Sequence, residues 1–459
     1  TRGQKFMNRI FRALTVLLVG LFLFGLNNQK DEERAVQPIA PLVGKDENLN
    51  IWIVTDIHYL SPDLFDDGEA FARMQATSAG KDLEHVPEMM EALVWEAAKE
   101  QPDLLIVSGD LTFNGEYQSM VELAAFFERI EKNGTQVSVI PGNHDIHSGW
   151  ARKFEGEEMA VVEQATPEDF QQIFADYGYD LAISKDPESL SYVMEPKAGF
   201  PFLMIDTNIY SETKSTKAPK TEGRIKEETY AWLDEYFALQ EEHLQTIQLV
   251  GHHPLLNHTG RLGGGFILEN AEDATDYFAG KGVQTSFAGH IHAQDISEAT
   301  DREAPFYEVV TGALSIFPNA IGEITLTNEE LAYQRKTLDI EGWAEVTGVE
   351  APELLAYTQT SHDLFKRDGE NLALQMMFEE QWHEEIYEEA VMDYVGKMNV
   401  RFFSGEDYVE DERSLGEWTS HAGYQIIQQN SDNFLKKYTN QLLQDKNLDD
   451  RHIVIPQRQ

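Results

Sequence analysis

Ile51-Trp52-Ile53-Val54-Thr55-Asp56-Ile57-His58 places four large apolar residues ahead of an Asp and a His two positions apart. A short apolar run of this kind, bounded by polar residues, reads as a buried β-strand. The arrangement recurs four more times in a fixed order. Leu104-Leu105-Ile106-Val107 runs into Gly109-Asp110, and Val137-Ser138-Val139-Ile140 into Gly142-Asn143-His144-Asp145. Ile247-Gln248-Leu249-Val250 runs into Gly251-His252-His253, and Thr285-Ser286-Phe287-Ala288 into Gly289-His290-Ile291-His292. Metal-ligand side chains at the carboxyl ends of several strands would converge on one edge of an open α/β sheet, where such folds bind their ligands.

Between these blocks, strand and helix signals alternate. The pattern predicts helices at 86–100, with Pro87 in the first turn, at 117–132, stopped by Asn133-Gly134, and at 167–177. Further strands are expected at 190–194, 202–206, 246–250, 283–288, 306–310 and 322–326, the later ones pairing as a second sheet. Helices outside and layered sheet within is the architecture this order implies. The character changes near 338–342, where a Glu-, Gln- and Leu-rich region with helical periodicity begins. Leu374, Phe378, Trp382 and Ile386 are spaced by four and predict one apolar stripe, with Glu379, Glu380, Glu384, Glu385, Glu388 and Glu389 as a solvated face and His383 as a surface histidine. A further long helical region is expected over 415–444. At 459 residues the chain exceeds one typical domain, and a separate helical domain of roughly a hundred residues is a normal size.

The N-terminus carries Lys5, Arg9 and Arg12 ahead of an apolar run from Ala13 to Leu26, with Met7 read as the natural start. That run is short for a membrane span and typical of a signal-peptide core. Leu23-Phe24-Gly25-Leu26 is similar to a bacterial lipoprotein box with Leu26 in place of the lipidated Cys. Residues 1–30 are therefore expected to be a signal peptide or membrane anchor and 31–47 a polar tether. The protein is expected outside the cytoplasm, secreted or tethered to a bacterial cell membrane, and to meet the membrane through this segment alone.

The formal net charge is −44, from 80 acidic and 36 basic residues. Such a surface repels DNA and RNA, whose binding rests on Lys and Arg contacts to phosphate. Any phosphate-bearing substrate then needs a local positive charge, which bound metal ions would supply. Cysteine is absent, so a metal must sit on N and O ligands.

Taken singly, each block is a common turn or strand end. Taken together they form a ligand set: Asp56, His58, Asp110, Asn143, His252, His290 and His292, enough for two adjacent ions with Asp110 placed to bridge. Two-metal sites of this kind hold their ions about 3.5–4 Å apart and activate a shared water.

Asp-x-His, Gly-Asp, Gly-Asn-His-Asp, Gly-His-His and Gly-His-x-His, in this order, resemble the calcineurin-like metallophosphoesterase superfamily. The resemblance covers 48–339 and implies an α/β fold, a β-sandwich flanked by helices, followed by an all-α domain over 341–459. It implies that Asp56, His58, Asp110 and His292 bind one metal and Asp110, Asn143, His252 and His290 a second. His144 would reach the phosphate and serve as general acid for the leaving oxygen or stabilise its charge, and Asp145 would orient His144. The nucleophile would be a metal-bridging hydroxide. Mn or Fe is the expected pair of divalent ions, with Zn also admissible.

Within the superfamily, purple acid phosphatases carry a Tyr ligand where this chain has Phe113, and repair nucleases need a nucleic-acid groove that the charge opposes. Thr55–Leu60 followed by Ser61-Pro62, the stretch Gly109–Glu116, and His252–His258 look most similar to the class III cyclic nucleotide phosphodiesterases, in particular exported bacterial members with a helical C-terminal domain. Asn114, His253 and His258 are candidates to line the substrate pocket. The expected activity is hydrolysis of cyclic nucleotides or similar small phosphodiesters. The alternatives are a nucleotidase-like phosphomonoesterase, or a surface binding protein whose metal core is structural. Oligomeric state, the role of the helical domain and the choice between 3′,5′- and 2′,3′-cyclic nucleotides stay open at this level.

Overall fold

The computed structural model describes residues 40–239, 247–258, 265–300, 304–409, 412–430, 434–443 and 448–457. The expected signal peptide or anchor, and the tether up to 39, lie outside the described residues. The elements run β1 (Leu49–Val54), α1 (Glu69–Ala76), α2 (Val86–Glu100), β2 (Leu104–Ser108), α3 (Tyr117–Lys132), β3 (Gln136–Ile140), a hairpin of β4 (Arg152–Glu155) and β5 (Glu158–Val161), and α4 (Pro167–Ile173). Next come β6 (Ser184–Lys185), β7 (Tyr192–Lys197), β8 (Phe200–Met204), α5 (Glu227–Leu239), β9 (Gln248–Val250), α6 (Ala271–Gly280), β10 (Thr285–Ala288), β11 (Asp295–Ala299), β12 (Phe306–Val310), β13 (Ala320–Leu326) and β14 (Glu330–Thr337). The remaining elements are α7 (Ile340–Thr347), α8 (Pro352–Leu355), α9 (Tyr357–Glu379), α10 (Glu385–Phe403), α11 (Glu412–Thr419), α12 (Ala422–Gln429), α13 (Phe434–Leu442) and β15 (His452–Pro456).

Two sheets face each other. The first has the order β15-β14-β13-β1-β2-β3 and the second β11-β12-β10-β9-β8-β7-β6. One continuous core joins Ile51, Ile53, Leu104 and Val139 of the first sheet to Tyr192, Phe202, Val250 and Phe287 of the second. Helices cover the outer faces: α2 and α3 pack on the first sheet, burying Met89, Leu93, Leu123 and Phe127, while α5 and α6 cover the second with Trp232, Leu233 and Phe278. This is the layered α/β sandwich. Strands β1, β2 and β3 are mutually parallel, as are β8, β9, β10 and β12. Strands buried on both faces read as continuous apolar runs, which is why each was visible in the sequence. The second sheet also takes β7, β8 and β12 as expected, but Ala320–Leu326 pairs with β1 in the first sheet.

The helical region differs from its expected form in two ways. The helix carrying the predicted stripe ends at Glu379, with Gln381 at φ 60°, so the spacing of four does not continue. Phe378 and Ile386 are consequently 57 % and 79 % exposed, and the buried face is one position away: Ser361, Phe365, Gly369, Ala373 and Met377. That face is narrow because α9 and α10 approach closely; a Cβ on Gly369 would lie 3.0 Å from the Gly396 Cα. The helical region expected over 415–444 consists of three short helices, α11 to α13. Finally, 341–459 is not helical to its end, since β15 returns to pair antiparallel with β14.

Residues 42–47, read as the end of a tether, lie against β7 instead: the Leu42 and Val43 amides donate to the Pro196 carbonyl, and the Lys197 ammonium donates to carbonyls of Gly44, Lys45 and Glu47. No helix among the described residues is long and apolar enough to cross a membrane.

Candidate metal centre

All five blocks leave the carboxyl ends of parallel strands: β1, β2 and β3 from one sheet, β9 and β10 from the other. Pairing continues past the strands and fixes the loops to one another. The Asp56 and His58 amides donate to the carbonyls of Gly109 and Asp110, at 3.1 and 3.0 Å, and the Gly289 amide to His252 at 3.0 Å. Asp56, His58, Asp110, His290 and His292 all have positive φ, between 48° and 69°. For non-glycine residues this conformation costs about 1–2 kcal/mol each, and it clusters at functional sites. It turns every one of these side chains back over the strand ends. Gly289 is confined differently: a Cβ there would fall 1.9 Å from the Thr55 hydroxyl and 2.6 Å from the Asp56 carboxylate.

Asp56, His58, Asp110 and His292 bring ligand atoms within 4.8 Å of one another, and Asp110, His252 and His290 form a second such group. Asp110 belongs to both. Its Oδ2 lies 3.7 Å from His58 Nε2 and 3.5 Å from His252 Nε2, while its Oδ1 accepts from the His144 amide at 2.8 Å. Asp56 is divided in the same way: Oδ2 accepts from Thr55 Oγ1 (2.6 Å) and the His290 amide (2.9 Å), and Oδ1 faces His292 Nε2 at 3.2 Å. The Nε2 atoms of His58 and His292 are 3.2 Å apart, and Asn143 Oδ1 is 3.2 Å from His252 Nε2. His290 Nε2 is buried with no hydrogen-bond partner. Buried polar atoms are normally satisfied, and imidazole nitrogens and carboxylate oxygens converging on common points are what two divalent cations require. The residues present therefore fit the metals.

The electrostatics favour the same conclusion. Burial works to raise the carboxyls of Asp56 and Asp110, but facing histidines override it: His292 and His252 for Asp56, His252 and His144 for Asp110. Both stay ionised well below the usual range. Burial pushes His58 well down and His290 down to about 3, leaving neutral imidazoles able to donate a lone pair. His252 goes the other way, up to about 9, because the Asp110 carboxylate outweighs its burial. A cation on that carboxylate would take the proton's place.

His144 is partly exposed, and its ring stands perpendicular to that of His58, with centroids 5.1 Å apart. Its Nδ1 lies 2.9 Å from both the Phe113 carbonyl and Asn114 Oδ1, two acceptors, so Nδ1 carries the proton and Nε2 is left for a ligand. Asp145 does not orient this ring as expected. Its carboxylate accepts from the amides of Leu111, Thr112 and Gly142 and from Thr112 Oγ1, which ties the second and third ligand loops together.

The three expected substrate residues also take other places. Asn114 is 3 % exposed and orients His144. His253 is buried against the His290 ring, centroids 4.3 Å apart, with Nδ1 2.8 Å from Thr207 Oγ1. His258 is buried between Asp295 and Glu308, six residues past His252. Sequence reasoning missed Thr55 and Thr112, which hold Asp56 and Asp145: a hydroxyl next to a carboxylate carries no distinguishing signal, and Thr112 meets Asp145 only across 33 residues.

The helical region reaches this centre. Ala288, Ile291 and Ala293, the neighbours of His290 and His292, share one apolar cluster with Ala373 and Met377 of α9 and Val391, Val395 and Met398 of α10. Ile291 thus anchors the last ligand loop in the helical domain's core.

Residues 49–294 match the family model for calcineurin-like phosphoesterases. The chain belongs to that family. Its catalytic domain is accordingly that of a metal-dependent phosphoester hydrolase, with Asp and His side chains arranged to bind divalent cations. Residues 339–449 match a second model, the C-terminal domain of cyclic nucleotide phosphodiesterase. Among solved structures, this phosphoesterase is similar to a dimetal phosphatase from Danio rerio, with 13 % identity and a TM-score of 0.45, over 63 % of this chain and 96 % of that one. It is also similar to GAP50, the anchor in the inner membrane complex of Plasmodium, with 10 % identity and a TM-score of 0.38, over 64 % and 85 %. No curated protein matches.

Proposed function

We propose that this phosphoesterase is a phosphodiesterase acting on cyclic nucleotides or similar small phosphodiesters. The observation that carries the reading is the match of 339–449 to the C-terminal domain of cyclic nucleotide phosphodiesterase, joined to the packing of that domain behind His290 and His292. Phe113, where purple acid phosphatases have a Tyr ligand, supports it.

Asp56, His58, Asp110 and His292 would hold one divalent ion and Asp110, Asn143, His252 and His290 the other, with Mn or Fe the expected metals. Such ions supply Lewis-acid charge and bring the pKa of water towards neutral. The chain's own residues do the rest. Asp110 keeps the two groups of ligands in register through Oδ2, and its Oδ1 holds the His144 amide. The Phe113 carbonyl and Asn114 fix the His144 ring through Nδ1–H, so that Nε2 would face the leaving oxygen; the proton given to that oxygen would be the Nε2 proton of the imidazolium form, with Nδ1 keeping its own. The net charge of −44 disfavours nucleic-acid polymers as substrates. The apolar run Ala13–Leu26 supports export and a membrane tether.

The test is hydrolysis by protein stripped of metal and reloaded with Mn. The substrates are bis-para-nitrophenyl phosphate, para-nitrophenyl phosphate, 3′,5′-cAMP and 2′,3′-cAMP. Metal-dependent turnover of the diesters over the monoester is expected. Turnover of the monoester alone would replace the diesterase reading with a phosphomonoesterase, and metal binding without any turnover would favour a binding protein.

A further inference from the structure

Lys81 lies in the loop between α1 and α2 and is 8 % exposed. Its ammonium donates to the Ser78 carbonyl at 3.2 Å. An ammonium has three donors, and the other two find no protein partner among the described residues. The buried Lys197, by contrast, donates to three carbonyls, of Gly44, Lys45 and Glu47.

Three connections fix this loop beside the metal centre. The Asp82 amide donates to the Ser315 carbonyl at 2.9 Å, and the Ser315 hydroxyl to the Asp56 carbonyl at 2.9 Å. Leu83 shares an apolar cluster with Phe113, whose carbonyl holds His144. On the far side α9 closes the loop: Tyr357 donates to Asp82 at 2.8 Å, Asp368 accepts from the Gly80 amide, and the Phe365 ring covers Gly80 so closely that a Cβ there would meet it at 2.4 Å. The Lys81 charge is attracted by Asp110 and Asp56 at the centre and by Asp368 of α9 on the other side, and it opposes protonation of His58 and His144.

A buried cation beside a site for two dications weakens metal binding, so metal affinity does not explain its presence. An anion seated on the centre does, because a desolvated ammonium with unused donors binds an oxyanion strongly. We propose that Lys81 binds a non-bridging oxygen of the substrate phosphoryl group, and that α9 of the helical domain positions it there. The proposal rests on the reading of this centre as a phosphoester hydrolase.

Its test compares Lys81→Met and Lys81→Arg with the wild type, all loaded with Mn. Inorganic phosphate binding is followed by calorimetry, and KM and kcat are measured on bis-para-nitrophenyl phosphate. Lys81→Met should bind Mn at least as tightly as the wild type while its phosphate Kd and KM rise about 10- to 100-fold, the range for losing one hydrogen bond to a charged group. Lys81→Arg should recover part of the loss. Opposite changes in metal and phosphate affinity separate this role from a structural one, which would weaken both. Unchanged phosphate Kd and KM in Lys81→Met, or a parallel loss of Mn, would overturn the proposal. Tyr357→Phe should raise KM with kcat retained; a fall in kcat at constant KM would overturn the positioning by α9. If the wild type hydrolyses no phosphoester, the hydrolase reading fails, while phosphate calorimetry still decides the part played by Lys81.

Discussion

Replacing His258 with Gln should remove a pH-dependent part of the stability. The ring is buried between Asp295 at Nδ1 and Glu308 at Nε2, the latter 3.1 Å away. Glu308 also accepts from the Leu255 and Leu256 amides, so the cluster straps the segment after His252 and His253 onto β11 and β12. Burial acts to lower His258, but Asp295 and Glu308 outweigh it and lift it from 6.5 to about 9. A folded-state pKa raised above the unfolded value gives stability that is complete below 6.5 and lost as pH climbs through about 9. The lift from 6.5 to about 9 corresponds to about 3 kcal/mol. Gln cannot take the proton, so the variant lacks this contribution at every pH. The assay is guanidinium unfolding of both proteins, followed by tryptophan fluorescence in steps from about pH 7 to about pH 9. The wild-type advantage should shrink by about 1.4 kcal/mol per pH unit. The metal-ligand histidines are common to both proteins and cancel in the difference. An advantage that stays constant over this range would show that His258 is neutral when folded and would refute the reasoning.

Three further outcomes are expected. Asp110→Asn should lose both metal ions by elemental analysis, because Oδ2 serves both groups of ligands; retention of both would refute the bridging role. Gly289→Ala should lower metal affinity sharply, since its Cβ would fall 1.9 Å from the Thr55 hydroxyl that holds Asp56; metal titration at wild-type affinity would refute the confinement. Glu116→Gln should stabilise the protein in alkaline buffer: burial lifts this carboxyl from 4.5 to about 7, so ionising it costs stability that appears as pH rises through that range. The gain should approach about 3 kcal/mol above pH 7 and vanish below about pH 4.5 in unfolding midpoints.

Much of this was legible because buried parallel strands leave long apolar runs and their loops begin where those runs stop. That is how Ile51–Val54 marked Asp56, and Thr285–Ala288 marked His290 and His292. Helices α2 and α3 were legible to the residue, since Pro87 and Asn133-Gly134 bound them locally. The apolar stripe on α9 was misread because a spacing of four says nothing about where a helix stops, and Gln381 ends it. His258 looked like a pocket residue, being close in sequence to His252; Asp295 and Glu308, 37 and 50 residues away, bury it as an ion pair instead.

The sequence by itself determined the donors at the centre: seven N and O ligands at strand ends, in an order that resembles the calcineurin-like phosphoesterases and through that resemblance implies phosphoester hydrolysis. Tertiary structure alone decided which oxygen of Asp110 faces both ligand groups, that Asn114 and not Asp145 orients His144, and that α9 brings the loop of Lys81 to the site. Strand and turn signals are local and are written in neighbouring residues. Hydrogen bonds such as Tyr357 to Asp82, 275 residues apart, form only because packing the helical domain places those atoms within 2.8 Å.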